Sequence, residues 1–251
     1  LRADRQPEFT QIDIEMSFVD TEDVLAVGEG LVKHIFKSVM GVDIETPIPR
    51  YTYKECMERY GSDKPDIRFG MEIQDVSEAV KGCSFPVFAS AVEAGGSVRA
   101  INLKGCADKL TRKEIDRLAD YAKGCGAKGL AWVRRHDTDS GSFLKHMTEP
   151  ELAALYAAAG CEKGDVLLIL ADTDTNRMLS QLGQLRVEAA NRLGIERTGY
   201  KFLWVVEMPF FELDAETGEW VAMHHPFTAP LDECREYLET DKGRVRAKAY
   251  D

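Results

Sequence analysis

Residues 5–15 read Arg5-Gln-Pro-Glu-Phe9-Thr-Gln-Ile-Asp13-Ile-Glu15. An aromatic side chain stands here among a cation, amides and carboxylates. From Thr10 to Phe18 polar and apolar residues alternate, the period of a half-buried strand. One face of such a strand carries Phe9, Gln11, Asp13 and Glu15, and the other carries Ile12, Ile14 and Met16. An aromatic beside an amide and acids suits a ligand that joins a flat base to an amine. The same alternation also describes a strand with mixed faces at a sheet surface, and the residues alone leave both readings open.

Outward from this stretch, Asp20-Thr21-Glu22-Asp23 predicts a helix start, with acids in the first turn favouring the dipole. Val24, Val27, Leu31, Ile35 and Val39 recur at helical spacing, and Gly41 is a natural stop. The stretch Pro47 to Pro49 breaks the chain, and Thr52 to Tyr60 reads as a short helix closed by Gly61. A second region begins near Met71, with strands expected over Pro86 to Ala89 and Val98 to Leu103 around the Gly95-Gly96 turn. Thr111-Arg-Lys-Glu114 is a capping box for a helix whose inner face is Ile115, Leu118 and Ala122. Strands follow at Leu130 to Val133 and Val166 to Leu170, with helices at Glu149 to Ala158 and Asn176 to Leu193. This order predicts a two-layer α+β unit. A third piece opens on the strand Leu203 to Glu207, and a turn at Asp214 to Gly218 links it toward Trp220 to Met223.

With 251 residues, 44% of them apolar, the chain can bury the core of one or two domains. Its longest apolar run, Val166 to Ala171, is far too short to span a bilayer, so no membrane is expected. With no leader visible, the expected compartment is the cytoplasm. The first residue is Leu1, not Met, which suggests an excised piece of a longer chain. Six cysteines without a Cys-x-x-Cys pair read as reduced thiols, not as a disulfide framework or a zinc site. A net charge of −11 excludes a chain that wraps nucleic acid unaided, although it permits a local basic patch.

Arg5, Phe9 and Asp13 form the pattern Arg-x-x-x-Phe-x-x-x-Asp, which resembles the second half of motif 2 of class II aminoacyl-tRNA synthetases. The run from Leu1 to Glu15 is similar to the bacterial-type aspartyl-tRNA synthetases. Three further blocks agree in order: Tyr60-Gly-Ser-Asp-Lys-Pro-Asp-Ile-Arg68, Gly126-Ala-Lys-Gly-Leu-Ala131 and Met223-His-His-Pro-Phe-Thr228. The closing Ala249-Tyr-Asp251 resembles the lead-in to that family's motif 3. The resemblance implies an α+β fold: a partial class II antiparallel-sheet core, residues 1–70 and 200–251, with a GAD insertion domain over 71–199. It implies an enzyme that activates L-aspartate with ATP to aspartyl-adenylate and transfers the aspartyl group to the 3′ end of tRNA. The partners implied are tRNA-Asp, with tRNA-Asn left open, and a homodimer at full length. The alternative is a non-catalytic module that binds tRNA or a partner through the insertion domain.

The resemblance also distributes roles among residues. Phe9 stacks on the adenine of ATP, Arg5 reaches the triphosphate and Gln6 is a further ATP contact. Asp13 holds the α-ammonium group of aspartate, His224 approaches the bound aspartate, and His225 stands beside it. Arg2, with Arg5, touches the tRNA acceptor end, and Asp251 is a ligand of Mg2+ in the complete enzyme. No protein nucleophile is implied, and no catalytic residue is assigned in this chain. Without the family, each residue has a plainer reading: Phe9 as core, Arg5 and Gln6 as solvated loop, Asp13 in an ion pair, the histidines as structural. His34, His136 and His146 match no site of the family and read as surface or packing residues.

Overall fold

Helix α1 (Thr21–Ile35) begins where the acids predict it. The Asp20 carboxylate accepts from the Asp23 amide at 3.2 Å, and the Asp23 carboxylate accepts from the Asp20 amide at 3.0 Å. The helix runs on through a wider π turn, Phe36–Met40, and stops at Gly41, whose φ of +70° is costly for any residue with a Cβ. The computed structural model describes residues 7–214 and 216–250, and the chain divides into two units, 1–49 and 50–251. In the first unit Leu25, Ile44 and Ile48 are buried, and Glu29 of α1 accepts from the Ile48 amide at 3.2 Å. That bond ties the segment after the helix back to α1.

The strand expected over Thr10 to Phe18 is not formed. Among the described residues, none pairs with this stretch, and Phe9, Ile12 and Ile14 are exposed at 73%, 66% and 51%. Alternation prepares a strand, but only hydrogen bonds to a neighbouring strand make one.

The second unit opens with β1 (Arg50–Thr52) and α2 (Tyr53–Tyr60). Thr52 and Glu55 form a capping box at the start of α2, and Gly61 closes it at φ +65°. Then follow β2 (Ile73–Asp75), α3 (Pro86–Glu93), β3 (Ser97–Leu103), α4 (Arg112–Gly124), β4 (Ala131–Arg134) and β5 (Ser140–Gly141). After them come α5 (Glu149–Ala158), β6 (Val166–Asp172), α6 (Thr175–Arg192), β7 (Trp204–Val206), β8 (Phe211–Leu213) and β9 (Trp220–Ala222). Strands β2 to β6 form one antiparallel sheet in the order β2-β3-β6-β4-β5, while β1 pairs with β7 in parallel.

The class is the expected α+β, but the main sheet carries helices on both faces and so has three layers instead of two. Val166, Leu168 and Leu170 of β6 join Ile115, Leu118, Leu182 and Leu185 of α4 and α6 in one core. Leu167 and Ile169, on the other face, join Phe88 of α3 and Leu155 of α5 in a second core. The unbroken apolar run of β6 is the cause, because a strand buried on both faces has no polar side to offer water.

Two further expectations are corrected. Pro86 to Ala89 is the first turn of α3, not a strand. Pro86 sits at the start of the helix, where its missing N–H costs nothing, and Phe88 and Ala91 are buried at helical spacing. The Asp214 to Gly218 turn joins β8 to β9, while the strand before it, β7, goes to β1 instead. The other expected helices and strands lie within a few residues of their expected bounds, whereas β1, β2, β5 and β8 were not expected. All six cysteines are free thiols, and no helix among the described residues is long and apolar enough to cross a membrane.

Candidate functional site

The site residues fall into both units. In the first unit Phe9 and Asp13 stand in irregular, exposed chain. The Gln11 side-chain amide donates to both Asp13 carboxylate oxygens at 2.7 Å, so the amide and acid expected on one strand face do meet. At 73% exposure the plain core reading fails for Phe9. Arg2, Arg5, Gln6 and Asp251 lie outside the described residues.

In the second unit the two histidines follow the β8–β9 hairpin, whose turn is built by one carboxylate. Asp214 Oδ1 accepts from the Glu216 and Thr217 amides at 2.8 and 2.9 Å, and those amides hold the carboxyl below its usual pKa. Beyond β9 the Met223 amide still reaches the Phe210 carbonyl at 3.1 Å, so the hairpin carries the chain straight into His224. His224 is half-buried, with Nε2 2.9 Å from the Pro209 carbonyl. A carbonyl can only accept, so Nε2 bears the proton and Nδ1 is the ring nitrogen left for another group. Segment 208–210 is itself fixed: the Ala247 amide donates to the Met208 carbonyl at 2.8 Å and the Phe210 amide to Val245 at 3.0 Å.

His225 is exposed and plays a local part. Its Nδ1 accepts from the Phe227 amide at 3.2 Å, and its ring meets that of Phe227 edge-on at 4.7 Å. The Thr228 amide closes the turn on the His225 carbonyl at 2.8 Å, which leaves Phe227 almost wholly in solvent. The two adjacent histidines are thus held differently, one by the strand behind it and the other by its own turn. His146 stacks on Phe85 and His136 lies 3.8 Å from Asp108, which suits their reading as packing and surface residues.

Sequence reasoning missed the cavity beside the hairpin. It measures about 800 Å3 and is lined by Tyr53, Arg99, Arg177, Trp220, Met223 and Arg246, among others. Its rings and guanidinium groups come from five separate stretches of chain, so no local pattern could announce it. Gly243 packs under Trp220, where an added Cβ would lie 3.1 Å from the indole. Among the described residues no group of three or more His, Cys, Asp or Glu side chains is gathered as it would be to hold a metal ion.

The whole chain, residues 1–251, matches the family model described as tRNA synthetases class II (D, K and N). It is 57% identical to the aspartate–tRNA ligase of Ruminiclostridium cellulolyticum over 254 aligned residues, covering 100% of this chain and 42% of that protein. It is 54% identical to the aspartate–tRNA(Asp/Asn) ligase of Lachnoclostridium phytofermentans and 50% identical to the aspartate–tRNA ligase of Clostridium perfringens, with the same coverage, 100% and 42%. The chain therefore spans about two-fifths of the length of these relatives. Motif order, an α+β fold with antiparallel sheets and a match from end to end agree: the chain belongs to the class II tRNA synthetases of the D, K and N group.

Proposed function

We propose that this chain is part of an aspartate–tRNA ligase, which joins L-aspartate to ATP as aspartyl-adenylate and then transfers the aspartyl group to the 3′ end of tRNA-Asp. The observation that carries the reading is identity of 48–57% along the full chain to aspartate–tRNA ligases. Residues 1–70 and 200–251 belong to the catalytic core in this reading, and 71–199 form the insertion. ATP and Mg2+ are the implied small partners, the cytoplasm the compartment and a homodimer the full-length assembly. The Asp/Asn name of one relative supports tRNA-Asn as a second acceptor.

The residues divide the work by chemistry. Phe9 offers an exposed flat face for the adenine, Arg5 reaches the phosphates, where a cation offsets charge on the departing pyrophosphate, and Gln6 is a further ATP contact. Asp13, oriented by Gln11, holds the α-ammonium group. His224, tethered through Nε2, turns its other nitrogen to the substrate, with His225 beside it. Arg2 meets the acceptor end. Asp251 is the Mg2+ ligand in this reading, and no step is assigned to the ion. Orientation and charge neutralisation carry such a reaction without a protein nucleophile.

The test is aspartate-dependent ATP–pyrophosphate exchange by the full-length protein, with asparagine and lysine as competing amino acids. Exchange with aspartate alone is expected, and exchange with either of the others would overturn the assignment. The 251-residue chain by itself is expected to show none.

A further inference from the structure

His224 to Thr228 join the end of the β8–β9 hairpin to residues 229–231, and a single stretch of chain holds this loop at both ends. That stretch is 245–248. It runs antiparallel between 208–210 and 229–231, with Arg246 facing Pro209 and Ala247 facing Pro230. Its hydrogen bonds alternate from side to side, as in the middle strand of a sheet. The Val245 carbonyl and the Ala247 amide serve Phe210 and Met208 on one side. On the other, the Arg246 carbonyl accepts from the Leu231 amide and the Lys248 amide donates to the Ala229 carbonyl, both at 2.8 Å. Val245 and Ala247 are buried, and an ion pair from Lys248 to Asp232 at 3.0 Å closes the outer side.

Pro209 explains why the inner side ends on His224. Met208 and Phe210 make the bonds to 245–248, so the carbonyl of the residue between them points away from that stretch. Proline has no N–H to offer there, so the position presents an acceptor alone. His224 Nε2 meets that acceptor at 2.9 Å.

The side chain of Arg246 braces the same clasp. Its Nη1 donates to the carbonyls of Gly243 and Val245 at 2.9 and 3.3 Å. The Val245 carbonyl is the one that accepts from Phe210, and Gly243 is the residue under the Trp220 indole of β9. One half-buried guanidinium therefore reaches both supports of His224: the strand that ends just before it and the segment whose carbonyl orients it.

We infer that Arg246 is a positioning residue for the histidine loop: by fixing the Gly243 and Val245 carbonyls it sets where the Pro209 carbonyl holds His224. The inference rests on the proposed reading of His224 as the residue that meets aspartate. Arg246 is assigned no contact with a substrate and acts through the backbone of 208–210 and through β9.

The test is aspartate-dependent ATP–pyrophosphate exchange by the full-length protein carrying Arg246→Met, which keeps much of the side chain's length and removes its donors. The KM for aspartate is expected to rise about fivefold and that for ATP to move by less than about twofold. A merely structural loss would not depend on His224, so the same change is also made in a His224→Ala background. There Arg246→Met is expected to leave the KM for aspartate within about twofold of His224→Ala alone, because the side chain it positions is gone. If Arg246→Met does not fold, Gly243→Ala strains the same joint by placing a Cβ 3.1 Å from the Trp220 indole. It is expected to raise the KM for aspartate about twofold to threefold, with the same dependence on His224. An unchanged KM for aspartate in the folded variants, equal rises for aspartate and ATP, or the same rise with and without His224 overturns the inference. The reading beneath it fails separately, through absence of exchange in the unaltered protein or a KM for aspartate that His224→Ala leaves unmoved; either result takes the inference with it.

Discussion

Strands β3 and β6 and the stretch 10–18 all read as strand in the sequence, yet they have opposite fates. The first two pair along their length, from Ser97↔Asp172 to Leu103↔Val166, with nearly every residue buried. Residues 10–18 form no strand among the described residues, and all of them but Met16 are exposed. The first pair finds in this chain both its ladder partner and helices for each face; residues 10–18 find neither among the described residues. The region richest in chemical signal is thus the one that contributes least to the stability of the chain as it stands.

The comparison breaks most visibly on removal of a core side chain. Leu168→Ala, within the larger core, is expected to cost about 2–5 kcal/mol in urea unfolding of the 251-residue chain. A loss below 1 kcal/mol would mean that the sheet is not the stabilising region.

A smaller effect is expected at Asp172, a 5%-exposed carboxylate at the end of β6. Burial raises its pKa, but the Asp174 amide, Lys128 and Arg177 outweigh this and bring it from 3.8 down to about 2. Asp172→Asn is expected to cost about 1–3 kcal/mol at neutral pH, since it leaves paired cations without their partner. The sign in acid follows from the lowered pKa. The unfolded carboxyl binds its proton near pH 3.8 and the folded one only near 2, so the native carboxylate's contribution holds above about pH 4 and fades as the pH falls to about 2. Unfolding curves of the two proteins should converge over that interval, and a difference constant with pH would refute the ion-pair account.

In the full-length protein, Phe9→Ala is expected to weaken ATP use by about 1–3 kcal/mol, the scale of an aromatic stack on a base, with tRNA binding nearly intact. An unchanged KM for ATP would reduce Phe9 to packing. His224→Ala should raise the KM for aspartate severalfold and move that for ATP less, because its free nitrogen is assigned to the amino acid. The opposite split would exchange the two roles. The smallest effect closes the comparison: Ile12→Ala in the 251-residue chain should change unfolding by no more than about 0.5 kcal/mol, as for other exposed side chains. A loss above 2 kcal/mol would show that residues 10–18 are packed after all.

Local chemistry was legible in the sequence. The capping box read at Thr111 and Glu114 forms, and Asp20 with Asp23 and Thr52 with Glu55 cap their helices in the same way, because each needs only residues three apart. The inner face Ile115, Leu118 and Ala122 is buried as its spacing predicts. Pro86 to Ala89 misled because four apolar residues carry no period, and the proline that opens a helix also suits the start of a strand. The candidate histidines were visible as a motif, whereas the Pro209 carbonyl that orients His224 lies fifteen residues away and bears no side-chain signature.

The sequence by itself determined the family, the bounds of the helices other than α3 and the continuous burial of β6, since these follow from residue types in fixed local order. Tertiary structure alone decided that α4 and α6 cover one face of the sheet and α3 and α5 the other, that β1 pairs with β7, that Gly61 meets Gly183 and that Arg186 fastens the loop at 66–70. Each of these joins groups more than a hundred residues apart or sets one whole layer against another. Backbone carbonyls and glycine backbones look alike at every position in a sequence, and only folding selects which of them face a buried cation or a neighbouring helix.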